Sequence, residues 1–233
     1  MNIYIFPGNP PARYYYKKWS QELAPHFPDW SFKVLTYTQD MPINAPLDLK
    51  AVEKNLDHQI KPDQTTPLFF ISHSLGSYFA FKMSQKVKNN FKGHLCIFPF
   101  IGGASLSAQL QLKMLYSIQR NSFIKQGFHN FIHHLSLVIP EIKNITPKEM
   151  NAALDLAKNE WELLRTRDLQ LPCANPNQFL VFNPQDRWCP KKTIQYLREY
   201  MPAVMTDCSH DFIRFQSQRD SMSKIFIQYC SSL

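Results

Sequence analysis

Acidic residues are missing from a long stretch of this chain: no Asp or Glu occurs between Gln64 and Pro140. The same span carries Lys82, Lys86, Lys88, Lys92, Lys113, Arg120 and Lys125, so the net charge of +8 is unevenly placed. A block of one sign favours an anionic membrane surface or an acidic ligand; a solvated basic face accounts for it equally well. No helix-turn-helix, zinc-finger or RNP-type pattern accompanies it, which argues against nucleic acid as the partner. Runs of about 18 apolar residues are also missing, so no membrane-spanning helix is expected. The amino terminus has neither the basic nor the long apolar segment of a secretory leader, so no signal peptide is expected. The five cysteines, at positions 96, 173, 189, 208 and 230, are odd in number and include no C-x-x-C pair. That pattern fits a reduced, cytoplasmic protein better than a disulfide framework or a zinc site. Glycine is scarce, with 6 against 17 prolines, so the loops are expected to be stiff.

What remains is the composition of a globular protein, 44% hydrophobic and 19% charged. At 233 residues the chain suits a single domain over 1–233 with a full core. Short apolar runs at 2–6, 31–37, 68–72, 94–99, 178–183 and 203–206 read as six strands. Most lack clean alternation, as expected of strands buried on both faces of a parallel sheet. Helical patterns separate them at 12–26, 47–60, 74–87 and 191–200. The alternation implies a doubly wound α/β fold, with functional loops at the carboxyl ends of the strands. One segment breaks it. Between Phe100 and Leu171 no strand is evident, and 109–120, 123–139 and 147–167 all look helical. Thr146-Pro147-Lys148-Glu149 reads as a capping box with proline at the first helical position. A helical insertion of this kind, about 103–171, is where lipases and esterases carry a cap over the active site. Its middle, from Phe123 to Ile139, is strongly apolar, which suits either a pocket lining or a cover for the sheet.

The densest chemical signal is Leu68-Phe69-Phe70-Ile71-Ser72-His73-Ser74-Leu75-Gly76-Ser77-Tyr78. An apolar strand runs into S-x-S-x-G and a helix pattern follows, which is the context of a nucleophile elbow. The sharp turn lifts Ser74 from the sheet and crowds the backbone, so the residues two before and two after must be small: here Ser72 and Gly76. A serine after a buried strand can also be only a turn or a helix cap.

A serine hydroxyl is a weak nucleophile until a base takes its proton, and the base needs an orienting acid. The chain order Ser, Asp, His of α/β-hydrolases is available. The run 178–182 leads into Asp186, and the run 203–206 leads into His210. Among the other histidines, His73 would project beside the serine. His94 precedes a strand at the wrong end, and His26 and His58 sit on early helices. His129, His133 and His134 lie in the insertion, where an i, i+4 pair could ligate metal but no carboxylate is near in sequence. Asp186 competes with Asp168, which ends an insertion helix, and with Asp207 and Asp211, which are too close along the chain to reach round the His210 ring. Its simpler role would be capping the helix near Pro190. An oxyanion would need backbone N–H donors. Leu75 is one candidate. The other lies in Phe6-Pro7-Gly8-Asn9-Pro10-Pro11, where the prolines have no N–H, leaving Asn9, or else Gly8. The Asn9 side chain could instead close a turn.

With these residues assembled, the chain resembles the α/β-hydrolases and, among them, is similar to the lipid-droplet-associated serine hydrolases. Four patches carry the likeness: Pro7-Gly8-Asn9-Pro10 with Tyr15-Tyr16 soon after; Ser72 to Ser77; Phe98-Pro99 leading into the insertion; and Asp186-Arg187-Trp188-Cys189-Pro190 followed by His210-Asp211-Phe212. The resemblance implies a carboxylic ester hydrolase acting on lipid esters such as acylglycerols or sterol esters, at a lipid surface. By position it implies Ser74 as nucleophile, Asp186 as orienting acid and His210 as base, with no cofactor or metal. Ser72 departs from the usual elbow glycine. The chain also opens directly at the strand bearing the oxyanion loop, so the first two strands of the common eight-stranded core are expected to be absent. Two other readings use the same residues differently: a non-catalytic lipid-surface protein on this scaffold, and a thioesterase or amidase with the same triad.

Overall fold

The computed structural model describes residues 1–38, 47–60, 66–101, 104–121, 124, 127–128, 130, 146–166 and 177–231. The described strands are β1 (Asn2–Phe6), β2 (Ser31–Val34), β3 (Leu68–His73), β4 (Phe91–Ile97), β5 (Gln178–Phe182) and β6 (Ala203–Met205). They form one parallel sheet in the order β2-β1-β3-β4-β5-β6. The helices described end to end are α1 (Arg13–Leu23), α2 (Leu49–Gln59), α3 (Gly76–Lys86), α4 (Leu106–Arg120), α5 (Pro147–Thr166), α6 (Lys191–Leu197) and α7 (Gln216–Cys230).

The sheet is buried on both faces, and the side-chain period of two sorts the strands into two cores. Tyr4, Phe6, Leu68 and Phe70 pack with α2, α3, α4 and α5. Ile3, Ile5, Phe69 and Ile71 point the other way, against Trp19 of α1 and Met222 and Phe226 of α7. The chain turns from β1 outward to β2, then returns to β3 on the opposite side of β1. That reversal opens a crevice beyond the carboxyl ends of β1 and β3, where ligands bind in open parallel sheets.

Among the departures from the sequence reading, two are strand boundaries with a local cause and one is an unread helix. The second strand stops at Val34, not residue 37. The Gln59 side chain accepts from Thr36 N at 3.0 Å and donates to Thr36 O at 2.7 Å, and Asn55 Nδ2 donates to Tyr37 O at 2.9 Å. Side chains of α2 thus take the backbone groups that a neighbouring strand would use. The fourth strand begins earlier, at Phe91, past a register shift at Leu68/Phe69. Gly93 permits it, because a Cβ there would lie 2.7 Å from the Phe69 ring and 2.8 Å from Asn177 O. His94 accordingly lies inside β4 and is fully buried, so it does not precede the strand. Finally, α7 is a helix that the sequence reading did not identify; its signal is the i, i+3, i+7 run of Arg219, Met222 and Phe226, all buried.

Two helices of the insertion are described. α4 begins at Leu106 under a Ser105 cap, and α5 carries the expected capping box: Thr146 N donates to Glu149 Oε2 at 2.8 Å, and Glu149 N to Thr146 Oγ1 at 3.2 Å. The two helices pack on each other and on the same core. α5 also grips the body through polar contacts. Arg13 N donates to Glu149 Oε1 at 2.9 Å, Leu47 N to Asp155 Oδ2 at 3.0 Å, and Asn159 Nδ2 to Leu47 O at 2.8 Å. The expected helix over 123–139 lies outside the described residues, apart from isolated positions.

Candidate active site

β3 delivers Ser74 at its carboxyl end. Ser74 has φ 51°, the left-handed region that non-glycine residues rarely enter, and such strain is held where the surroundings over-determine it. Here Ser74 N donates to Ile97 O at 3.0 Å, and Ser74 O accepts from Ser77 N at 2.9 Å and Phe100 N at 3.1 Å. The crowding that requires small neighbours is direct at Gly76: a Cβ would lie 2.3 Å from Phe6 O and 2.6 Å from Pro7 O, both backbone atoms. On the other side, Ser72 replaces the usual glycine and is used. Its buried hydroxyl meets Ser77 Oγ at 2.9 Å and His94 Nε2 at 2.6 Å. Burial pushes the His94 ring down to about 3, so it is neutral and forms part of the support beneath the elbow.

His210 Nε2 stands 2.9 Å from Ser74 Oγ, and His210 Nδ1 stands 2.7 Å from Asp186 Oδ2. Asp186 sits in the turn after β5, where its own N donates to Asn183 O at 3.0 Å. Its second carboxylate oxygen accepts from Trp188 N at 2.8 Å, and its side chain is 1% exposed. It does not cap α6, whose N-cap is Pro190 without a side-chain bond. Asn183 Nδ2 donates to Cys208 O at 2.9 Å, which ties the Asp186 turn to the His210 loop. The rings of His73, Phe98 and Trp188 surround the His210 ring at 5.0, 5.8 and 6.0 Å.

The competing residues are placed otherwise. Asp207 and Asp211 are exposed, and Asp211 reaches only the cavity wall. His73 lies beside the serine with its Nδ1 2.5 Å from Tyr16 Oη; burial first, and the nearby His210, hold its pKa well below the ordinary value. His26 belongs to the turn after α1 and His58 to α2. Asp168, His129, His133 and His134 lie outside the described residues.

The loop after β1 is clamped from two sides. Tyr37 Oη donates to Pro7 O, and Gly8 N donates to Tyr16 Oη at 2.8 Å. Burial raises the Tyr16 pKa, so the hydroxyl keeps its proton and can donate it to His73. The N–H of Gly8 is therefore occupied. The N–H groups of Asn9 and Leu75 have no acceptor among the described residues. The Asn9 side chain does not close a turn. It crosses to α5, donating to Ala153 O at 3.2 Å and to Glu160 Oε2 at 2.7 Å.

Ser74 and His210 open on a cavity of about 370 Å³. Leu112, Leu115 and Phe128 line one part of it, Met150 and Leu154 of α5 another, and Arg187 and Arg214 also reach it. Among the described residues, no group of three His, Cys, Asp or Glu side chains is placed to hold a metal ion.

With this geometry in view, comparison with known proteins gives a family. Residues 1–144 match the family model described as lipid-droplet associated hydrolase. The chain belongs to that family. No curated protein matches the sequence. Solved structures similar to this lipid-droplet associated hydrolase family member share its fold across nearly the whole chain. A thermophilic esterase from Thermogutta terrifontis is 17% identical with a TM-score of 0.60, covering 100% of this chain and 90% of its own. The haloalkane dehalogenase DatA from Agrobacterium tumefaciens C58 is 12% identical with a TM-score of 0.68, covering 99% and 89%. The RedJ thioesterase of the prodiginine pathway in Streptomyces coelicolor is 10% identical with a TM-score of 0.64, covering 98% and 90%. The protein is thus a hydrolase of the α/β-hydrolase type.

Several residues of this candidate site escaped sequence reasoning. Tyr37 and Glu160 carry no local motif, and although Tyr16 and His73 lie in patches that the sequence reading named, nothing local pairs them. Glu160 left a trace as an acid on the apolar face of α5, four residues after Leu156 and three before Leu163.

Proposed function

We propose that this protein is a serine esterase acting on lipid esters. The observation that carries the reading is the continuous line from Ser74 Oγ to His210 Nε2, 2.9 Å, and from His210 Nδ1 to Asp186 Oδ2, 2.7 Å. Ser74 attacks the ester carbonyl while His210 takes its proton. The Asp186 carboxylate fixes the ring so that Nε2 faces the serine, and it stabilises the imidazolium that forms. The N–H groups of Asn9 and Leu75 receive the oxyanion, a contribution of about 3–4 kcal/mol for one such donor. His210 then returns the proton to the leaving alcohol, and water releases the acyl group by the same steps in reverse.

Support for a lipid ester comes from the wall of leucines, Met150 and Phe128 beside the serine, and from the family. Support for work at a lipid surface comes from α4. Leu106, Leu110 and Met114 follow an i, i+4, i+8 spacing and are 73%, 59% and 56% exposed, while Leu112, on the opposite face, lines the cavity. In this reading the protein is cytoplasmic and meets lipid peripherally. No helix among the described residues is long and apolar enough to cross a membrane.

Intact-mass labelling with a fluorophosphonate tests the chemistry. One adduct is expected on wild type, none on Ser74→Ala, and a much slower reaction on His210→Ala. Equal labelling of Ser74→Ala would remove the assignment. With wild type labelled, parallel turnover of an ester, a thioester and an amide of one acyl chain separates the esterase from a thioesterase or amidase.

A further inference from the structure

α5 turns a carboxyl toward the same cavity. Glu160 is 4% exposed and sits between buried Leu156 and Leu163. A carboxyl in an apolar wall is costly unless it is paired or neutral, and no cation pairs with Glu160 among the described residues. Burial pushes it up to about 8, against the opposing pull of its Asn9 hydrogen bond. At neutral pH it therefore holds its proton and can donate as well as accept.

Asn9 has a fixed orientation. Its Nδ2 faces two acceptors, Ala153 O and Glu160 Oε2, and a backbone carbonyl can only accept, so the amide cannot be turned over without losing that bond. That leaves Asn9 Oδ1 buried and without a partner among the described residues. Both side chains line the cavity that holds Ser74 and His210. A neutral carboxyl offers one O–H, and the orphaned amide oxygen offers lone pairs. The small group that answers both is one that accepts once and donates once.

We propose that Glu160 and the Asn9 side chain form a subsite for a substrate hydroxyl. The proposal rests on the esterase reading for its substrate class but not for its polar atoms. The hydroxyl belongs either to the alcohol part of the ester, as in a partial acylglycerol, or to the acyl chain. Glu160 determines specificity here and takes no part in bond making.

Three octanoyl-length esters test it on the full chain: a simple propyl ester, a monoacylglycerol and the propyl ester of a hydroxyoctanoic acid. Wild type is expected to favour one of the two hydroxylated esters over the simple ester by about 10- to 100-fold in kcat/KM, the scale of leaving buried polar groups unpaired. Which of the two is favoured identifies the source. Glu160→Met keeps the volume and removes a buried ionisable group, so it should fold. It should erase that preference by lowering kcat/KM on the favoured hydroxylated ester far more than on the simple propyl ester. No preference in wild type, a preference retained in Glu160→Met, or an equal loss on all three esters together with slower labelling overturns the subsite. The last of these outcomes would mean that Glu160 only props the Asn9 loop. A non-hydrolysable pair keeps the test independent of catalysis. 1,2-Octanediol should raise the Tm of wild type more than 2-octanone does, and Glu160→Met should remove the difference. That result would stand if Ser74 proved unreactive, and an absent difference in wild type would sink the subsite even with Ser74 active.

Discussion

At the scale of single residues, the legible part of the candidate site was the part that follows a chain-order rule. Ser74, Asp186 and His210 each lie just past a strand end, and the sheet brings such ends to one edge. Glu160 went unread, despite its place on an apolar helix face, because a lone acid on a helix usually means a solvated face. Its environment gives it a measurable signature. Burial raises its pKa from 4.5 to about 8, so above the lower value unfolding releases a proton that the folded state holds. The contribution of Glu160 to stability is therefore greatest below about pH 4.5 and falls as pH rises, until the loss levels off above about pH 8. Glu160→Gln removes this term. Its stability relative to wild type should be near neutral at pH 4 and grow to a gain of up to ~4–5 kcal/mol by pH 9, at about 1.4 kcal/mol per pKa unit. Urea unfolding across that range measures it. A gain that does not change with pH would mean that Glu160 is ionised throughout.

Among the elements, apolar runs located every described strand, because a parallel sheet buried on both faces leaves few polar interruptions. Their ends were set by contacts distant in sequence. Asn55 and Gln59 peel the chain from the sheet after Val34, and Gly93 lets β4 approach Phe69. α7 went unread because its buried stripe includes an arginine. Arg219 is 1% exposed overall. It forks onto Glu22 of α1, with Nε to Oε2 at 2.9 Å and Nη2 to Oε1 at 3.0 Å, and Nη1 donates to Ile213 O at 3.0 Å. The pair is unequally buried, with side chains 2% and 24% exposed. Removing the better hydrated partner strands a buried cation, whereas removing the arginine leaves a carboxylate that water can reach. Glu22→Ala should therefore cost more than Arg219→Met, about 3–5 kcal/mol against roughly half that, and the double variant should recover part of the larger loss. Denaturant midpoints at constant m decide the order; a reversed ranking would show that packing of the arginine stem outweighs its charge.

For the whole molecule, the question is where the uneven charge sits once the chain is folded. The acid-free span does not become one basic face. Lys82 and Lys86 of α3 pair with Glu53 and Asp57 of α2 at 2.5 and 2.6 Å, so acids from an earlier helix neutralise part of the block. Lys113 and Arg120 are exposed on α4, the helix that also carries Leu106, Leu110 and Met114 outward. An apolar stripe beside cations on the helix that walls the cavity would let a lipid surface both hold the protein and feed its site. The two contributions separate by salt, since screening weakens attraction to anionic headgroups but not apolar insertion. Pelleting with phosphatidylserine-containing vesicles should fall as salt rises from about 0.05 to about 0.5 M, with an apolar residue of binding persisting. Replacing Leu106, Leu110 and Met114 together by serine should abolish that residue and slow hydrolysis of emulsified esters, while turnover of a short water-soluble ester stays at the wild-type rate. Unchanged pelleting by the triple variant would move the lipid contact off α4, and an equal loss on soluble and emulsified esters would mean that the stripe supports the cavity wall instead.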